Sequence, residues 1–270
     1  MMRYRLTIEY DGAGFCGWQA QADGHAVQDA LSDAVEKFCG AQVTVFGAGR
    51  TDSGVHARGQ VAHLDLEQEV RPDKLRDAMN FHLKPLPVVV IHAAYARADF
   101  DARFSAIARH YKYRLVSRRA PLALDGGQSW WVPQALNVAA MQAAAPVFLG
   151  QHDFTTFRAS QCQAKSPIRT LDALTVRAVT NKADDKADEG TDGVIEIHAS
   201  ARSFLHNQVR SLVGALKYVG EGKWSKDDCA AALAACDRTA CAPVAPACGL
   251  TFMSVDYPEA ALAAPAQTAK

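Results

Sequence analysis

The chain has 270 residues, 49% of them apolar and 21% charged, which is ordinary for a globular protein and enough for one large core or two modest ones. Its 29 basic and 29 acidic side chains cancel, so bulk charge indicates no partner, and any RNA binding has to rest on a local basic cluster. There is no signal-peptide core and no apolar run long enough to span a bilayer, so a cytoplasmic protein without membrane contact is expected.

In chain order, Tyr4, Leu6, Ile8 and Tyr10 alternate on a period of two, predicting a strand over 3–10 that Asp11-Gly12 and Gly14 break. Val27, Leu31, Ala34, Val35 and Phe38 recur at helical spacing, predicting a helix over 27–39 stopped by Gly40. A short apolar strand is expected at 43–46 and an alternating one at 59–66. Next come a helix over 72–81 with Pro72 in its first turn, and a strand over 88–95. The second half shows a strand at 110–116, with Tyr111, Tyr113 and Leu115 on one face, and a helix over 138–148. Strands at 171–179 and 194–200 flank an Asp/Lys/Gly-rich exposed loop over 181–193. An apolar-faced helix is expected over 204–218, and Ser225 caps another to about 236. From 258 the Ala/Pro-rich tail is expected to fray.

This order predicts an α/β protein with mixed, largely antiparallel sheet in two similar domains, each a sheet with helices on one side. The boundaries fall at 1–104, 105–257 and a tail at 258–270. Seven cysteines, at 16, 39, 162, 229, 236, 241 and 248, make an odd count, which argues for reduced thiols. The last four are not spaced as C-x-x-C and have no nearby histidine, so they are read as small packing residues and no metal is expected.

The most unusual stretch is Phe46-Gly47-Ala48-Gly49-Arg50-Thr51-Asp52-Ser53-Gly54-Val55-His56-Ala57-Arg58-Gly59. Its glycines permit positive φ and close approach by a ligand, and a sharp loop after a strand would project Asp52 from a rigid base. A dinucleotide fingerprint fails because the third glycine position holds Asp52. A P-loop fails because Val55-His56 follow Gly54. Two readings survive: a glycine-rich turn in which Asp52 caps backbone N–H groups, favoured on these residues alone, and a catalytic carboxylate with an arginine partner. The histidines at 56, 63, 110, 152 and 206 form no H-x-x-x-H or H-E-x-x-H pair, and are read as structural or RNA-contacting residues.

The segment 49–57 resembles the G-R-T-D-[AS]-G-V-H-A signature of the tRNA pseudouridine synthase A family. Four further stretches resemble that family in the same order. They are Tyr10-Asp11-Gly12 with Phe15, Gly17, Trp18 and Gln19; Phe104-Ser105-Ala106 with Arg109-His110-Tyr111-Lys112-Tyr113; Gly150 with His152-Asp153-Phe154 and Phe157; and Phe204-Leu205-His206-Asn207-Gln208-Val209-Arg210 with Val213-Gly214. Ser53 stands where alanine is common, and the 181–193 loop is longer than usual. The resemblance implies the pseudouridine synthase fold, two α/β domains flanking an RNA-binding cleft. It implies isomerisation of uridine to pseudouridine at positions 38, 39 and 40 of the tRNA anticodon stem-loop, without cofactor, by a homodimer. A catalytically silent RNA-binding protein of the same fold is the alternative, against which the joint presence of Asp52, Tyr111 and Arg210 speaks.

The resemblance also implies roles. Asp52 is the catalytic carboxylate, attacking C1′ as a nucleophile or promoting a glycal route through C2′. Arg210 keeps that carboxylate ionised and oriented, Tyr111 stacks on the extruded uracil, and Arg50 positions the flipped nucleotide. On residues alone Arg210 could equally be a surface helix arginine and Tyr111 a core residue. From 97 to 119, Arg97, Arg103, Arg109, Lys112, Arg114, Arg118 and Arg119 outweigh the acids. With Arg50, Arg58, Lys165, Arg169, Arg202 and Arg210 they could track phosphates along one cleft, or be evenly spread solvated charges.

Overall fold

The computed structural model describes residues 1–20, 25–179 and 193–262. The expected loop at 181–193 falls, except for Gly193, outside the described residues. The chain divides into two compact units, Met1–Arg109 with Phe252–Lys270, and His110–Thr251.

In the first unit, β1 (Met2–Tyr10) pairs antiparallel with β3 (His56–Leu66) and with β4 (Val88–Ala96). The two-residue β2 (Phe46–Gly47) sits on β3. It is all that forms of the strand expected at 43–46. The alternation expected of β1 is real: Tyr4, Leu6 and Ile8 are wholly buried and Tyr10 nearly so. They face α1 (Val27–Cys39) and α2 (Pro72–Leu83), whose Val27, Leu31, Val35, Leu75 and Met79 are also wholly buried. Each such side chain contributes about 1.5–3 kcal/mol when removed from water. Gly40, with φ of +73°, ends α1 in the left-handed conformation expected of a C-terminal glycine.

On the other face of this sheet, Arg3 makes a two-pronged pair with Asp65, Nε to Oδ1 at 2.8 Å and Nη2 to Oδ2 at 2.6 Å. Its Nη1 also donates to the carbonyls of Ala98 and Phe100, pinning the chain after β4. The hydrogen bonds from Arg3 hold the Asp65 carboxyl below its usual value. A depressed folded-state pKa means the pair stabilises fully above the unfolded aspartate value, and that stability is lost as pH falls through the folded one. Asp65→Asn is therefore expected to lower stability by up to about 1 kcal/mol near neutral pH, a modest figure because the pair is partly solvated. The gap to wild type closes in acid, which urea titrations at neutral and strongly acidic pH will read.

In the second unit, β5 (Ala108–Ser117) carries the short parallel strand β6 (Trp130–Val132) on one side. On its other side lies β9 (Gly193–Ala201), followed by β8 (Ile168–Val179) and β7 (Gly150–Asp153). β8 and β9 are antiparallel, in one register from Ala173 opposite Ser200 to Val179 opposite Val194, with a shift between Ala173 and Leu171, which lies opposite Ala201. Three helices accompany them: α3 (Val138–Ala144), α4 (Gln208–Gly220) and α5 (Lys226–Ala234). Pro146 explains why the helix expected over 138–148 gives way to a 3-10 turn at Ala145–Phe148, since proline cannot donate within an α-helix. Asn207, at φ +63°, explains why α4 begins at Gln208 rather than at 204. Ser225 caps α5 as expected, its Oγ accepting from Asp228 N–H and its own N–H donating in return to Asp228 Oδ2.

The last strand, β10 (Leu250–Asp256), was not legible as a strand and lies beside β3. From Phe252 onward it belongs to the first unit, whereas the sequence places everything from 105 to 257 in a second domain. Val255, Tyr257 and Ala261 pack on the Val61–Phe100–Ala102 cluster, which explains the assignment. The same packing orders part of the expected fraying tail: Glu259–Leu262 forms α6, while 263–270 lie outside the described residues. The fold class is as expected, mixed α/β with largely antiparallel sheet. Among the described residues no helix is long and apolar enough to cross a membrane.

Candidate active site

The glycine-rich loop between β2 and β3 is fastened from within the first unit at nearly every residue. Ala48 N–H donates to the Val61 carbonyl at 2.7 Å, and Gln60 Nε2 donates to the Gly49 carbonyl at 2.8 Å. The Thr51 carbonyl accepts from Trp18 N–H at 3.0 Å, and its Oγ1 lies 2.8 Å from the Tyr10 hydroxyl. Burial pushes the Tyr10 phenol up to about 12, so it stays neutral in its hydrogen bond with Thr51. Ser53 Oγ donates to the Phe15 carbonyl, and Val55 N–H to the Asp52 carbonyl. Asp52 itself is half-buried on this rigid bend, and Arg50, two residues earlier, is exposed. Such anchoring can hold a reacting carboxylate within the narrow tolerance that catalysis demands.

The partner in this clamp is the turn after β1, and two glycines make it possible. Gly17 has φ of +114°, and a Cβ there would stand 2.7 Å from the Thr51 carbonyl oxygen. At Gly12 an added Cβ would meet the Val55 carbonyl oxygen at 2.0 Å. Gly12→Ala must therefore displace backbone against backbone. It is expected to cost about 1–3 kcal/mol, read as a lower urea midpoint. Trp18 and Phe15 are buried in this turn and pack it.

Arg109 is the largest departure from the sequence reading. It stands in the basic run 97–119 expected to track phosphates, yet it is only 8% exposed. Its Nε and Nη2 donate to the Ala48 carbonyl at 3.2 and 2.8 Å, and Nη2 also donates to the Arg103 carbonyl at 2.6 Å. A guanidinium buried among carbonyls anchors backbone and is out of reach of phosphate. Others of the run also spend their charge locally. Arg97 pairs with Asp99, Lys112 with Glu196 and Arg114 with Asp125, while Arg118 donates to the carbonyls of Ala120 and Pro121. Arg50, Arg58, Arg103, Arg119, Lys165 and Arg202 are exposed.

Tyr111 and Arg210 belong to the second unit. Tyr111, on β5, is half-exposed and meets Phe204 edge to face at 5.2 Å between ring centroids. Tyr113, two residues on, is wholly buried, with its hydroxyl donating to the Pro246 carbonyl. Of the two tyrosines placed on one face of this strand, Tyr113 is thus the core residue. Arg210 lies in the first turn of α4. Its Nε donates to the Ala245 carbonyl at 2.8 Å and its Nη1 to Asn207 Oδ1 at 2.9 Å, which fixes the side chain's course. The structure thus brings Arg50 and Asp52 together on one loop of the first unit. It brings Tyr111 beside Phe204 in the second.

Of the histidines at 56, 63, 110, 152 and 206, His63 has the plainest structural role. It is buried, its pKa is lowered by that burial, and its Nδ1 accepts from Ala102 N–H. His56 Nδ1 likewise accepts from Gly12 N–H at 3.0 Å. None of the seven cysteines is in a disulfide, and burial pushes the Cys229 thiol up to about 12. Among the described residues no group of three or more His, Cys, Asp or Glu side chains is placed to hold a metal ion. Sequence reasoning missed the fasteners Tyr10, Gln60 and Arg109, and the Phe204 wall beside Tyr111. For Tyr10 the signal was present in its place on the buried face of β1.

A family model described as tRNA pseudouridine synthase matches residues 6–105 and 144–258 of the chain. These spans take in Arg50, Asp52 and Arg210, and Tyr111 lies between them. The chain is 55% identical over 257 residues to the tRNA pseudouridine synthase A of Parvibaculum lavamentivorans, covering 95% of this chain and 100% of that one. It is 56% identical over 258 residues to that of Maricaulis maris, covering 96% and 99%. Against that of Azorhizobium caulinodans it is 57% identical over 259 residues, covering 96% of both chains.

Proposed function

The chain belongs to the tRNA pseudouridine synthase family, and on that premise we propose that it isomerises uridine to pseudouridine in the tRNA anticodon stem-loop, at positions 38, 39 and 40. The observation that carries the reading is the similarity to tRNA pseudouridine synthases A over nearly the whole of both chains.

The reaction breaks the N1–C1′ bond, turns the uracil within the site, joins C5 to C1′, and passes the C5 proton to solvent as N1 takes one up. Nothing is oxidised or hydrolysed, so the chemistry itself calls for no cofactor. Asp52 is the catalytic carboxylate, acting as nucleophile on the ribose. The fastening of Thr51 by Tyr10 and Trp18 supports this role, because a carboxylate that must meet a single ribose carbon needs a bend that does not drift. Tyr111 offers its half-exposed ring to the extruded uracil, with Phe204 bracing it. Arg50, exposed two residues before Asp52, holds the flipped nucleotide, and Arg210 orients the carboxylate. The protein works as a homodimer in the cytoplasm.

The test uses tRNA carrying tritium at uracil C5. Isomerisation replaces the C5–H bond, so the purified protein is expected to release tritium to water without added nucleotide or metal. Binding of tRNA without release would overturn the activity.

A further inference from the structure

The chain between β4 and β5 holds one side chain in an unusual position. Residues 101–105 form a turn in which every neighbour of Phe104 is tied down. Asp101 Oδ1 accepts from the N–H groups of Arg103 and Phe104 at 2.8 and 2.9 Å. Asp101 N–H donates to Ser105 Oγ, and Ser105 N–H to the Asp101 carbonyl, each at 3.0 Å. Ala102 is wholly buried, its N–H donating to His63 and its carbonyl accepting from the Tyr257 hydroxyl at 2.6 Å. Arg109 holds the Arg103 carbonyl. Out of this rigid frame the Phe104 ring is 76% exposed, with the Arg103 guanidinium 5.5 Å from its centroid.

Packing does not account for a large aromatic at the tip of a turn built this firmly, since a polar side chain would leave all of those bonds intact. An exposed aromatic face carried on a fixed backbone beside a cation is an arrangement that receives an unpaired nucleobase. The ring stacks on the base and the guanidinium meets its phosphate. The turn is also coupled to the Asp52 loop. The same Arg109 Nη2 donates to the carbonyls of Arg103 and Ala48, so those two oxygens stand no farther apart than its two bonds end to end. Ala48 lies four residues before Asp52.

We propose that Phe104, with Arg103 beside it, is a nucleobase-stacking platform that grips an unpaired tRNA base next to the one being isomerised. This rests on the tRNA-isomerase reading and extends it to a second base. Stacking needs a π face, which sets up the test. Wild type, Phe104→Trp, Phe104→Leu and Phe104→Ala are compared for tRNA affinity, for kcat and KM in tritium release, for thermal midpoint and for oligomeric state. The tryptophan variant is expected to bind and react like wild type. The leucine and alanine variants should both raise Kd and KM about ten-fold or more, with kcat at saturation, thermal midpoint and oligomeric state unchanged. A leucine variant equal to wild type would overturn the stacking role, because an apolar contact alone would then suffice. A change of oligomeric state accompanying the loss would also overturn it, assigning the ring to contact between copies of the chain. Failure of wild type to release tritium would defeat the isomerase reading instead, and is read separately from the variants.

Discussion

Asp52→Asn is expected to abolish tritium release from C5-labelled tRNA, by about 10³-fold or more, while tRNA binding and thermal stability stay close to wild type. The size follows from the chemistry. An amide cannot attack C1′ or take a proton from the sugar, and losing a nucleophile that nothing else replaces typically costs several orders of magnitude. The selectivity follows from the structure. Bonds that hold the loop run through the backbone of Ala48, Gly49, Thr51 and Asp52 and through the Thr51 and Ser53 hydroxyls. Asparagine has the same shape, so the bend should persist. Single-turnover release, filter binding and a melting curve on one preparation make the comparison. An asparagine variant within a few-fold of wild type would leave Asp52 as a turn residue only.

Arg210→Ala is expected to lower kcat by about 10²-fold or more with a smaller change in KM, and Arg210→Lys to recover only part of it. In the proposed mechanism Arg210 orients the carboxylate. A guanidinium does this through a planar fork, whereas lysine keeps the charge and loses the fork. A purely structural Arg210 predicts another outcome. Its bonds to the Ala245 carbonyl and to Asn207 tie α4 to the segment before Leu250, so their loss would lower the melting temperature in both variants. A fall in melting temperature with kcat intact would remove Arg210 from the chemistry. A fall in kcat that lysine fails to restore, at nearly constant melting temperature, would keep it there.

Local pattern carried much of the fold. β1, β4, α1 and α2 follow from side-chain periodicity, and Gly40 and Ser225 mark ends where only left-handed backbone or a side-chain cap will serve. The discrepancies have identifiable physical causes. Pro146 shortens α3 and Asn207 delays α4, since one proline or one left-handed residue overrides an apolar period. β10 went unnoticed because Ala247–Gly249 and the prolines before it mask a short strand that is held by neighbours far away in sequence.

The sequence by itself determined which loop carries the candidate carboxylate, which strand carries Tyr111, and the family to which both point. Residue type and near-neighbour spacing are enough for those. Tertiary structure decided the fate of individual side chains. Arg109 became a buried anchor because the Ala48 carbonyl, 61 residues earlier, came within reach of its guanidinium. Gly12 became indispensable because the Val55 carbonyl closes over it. Phe104 stayed exposed because its turn was already satisfied without it. Each outcome depends on what long-range folding brings to within a few ångströms, and no local pattern encodes that distance.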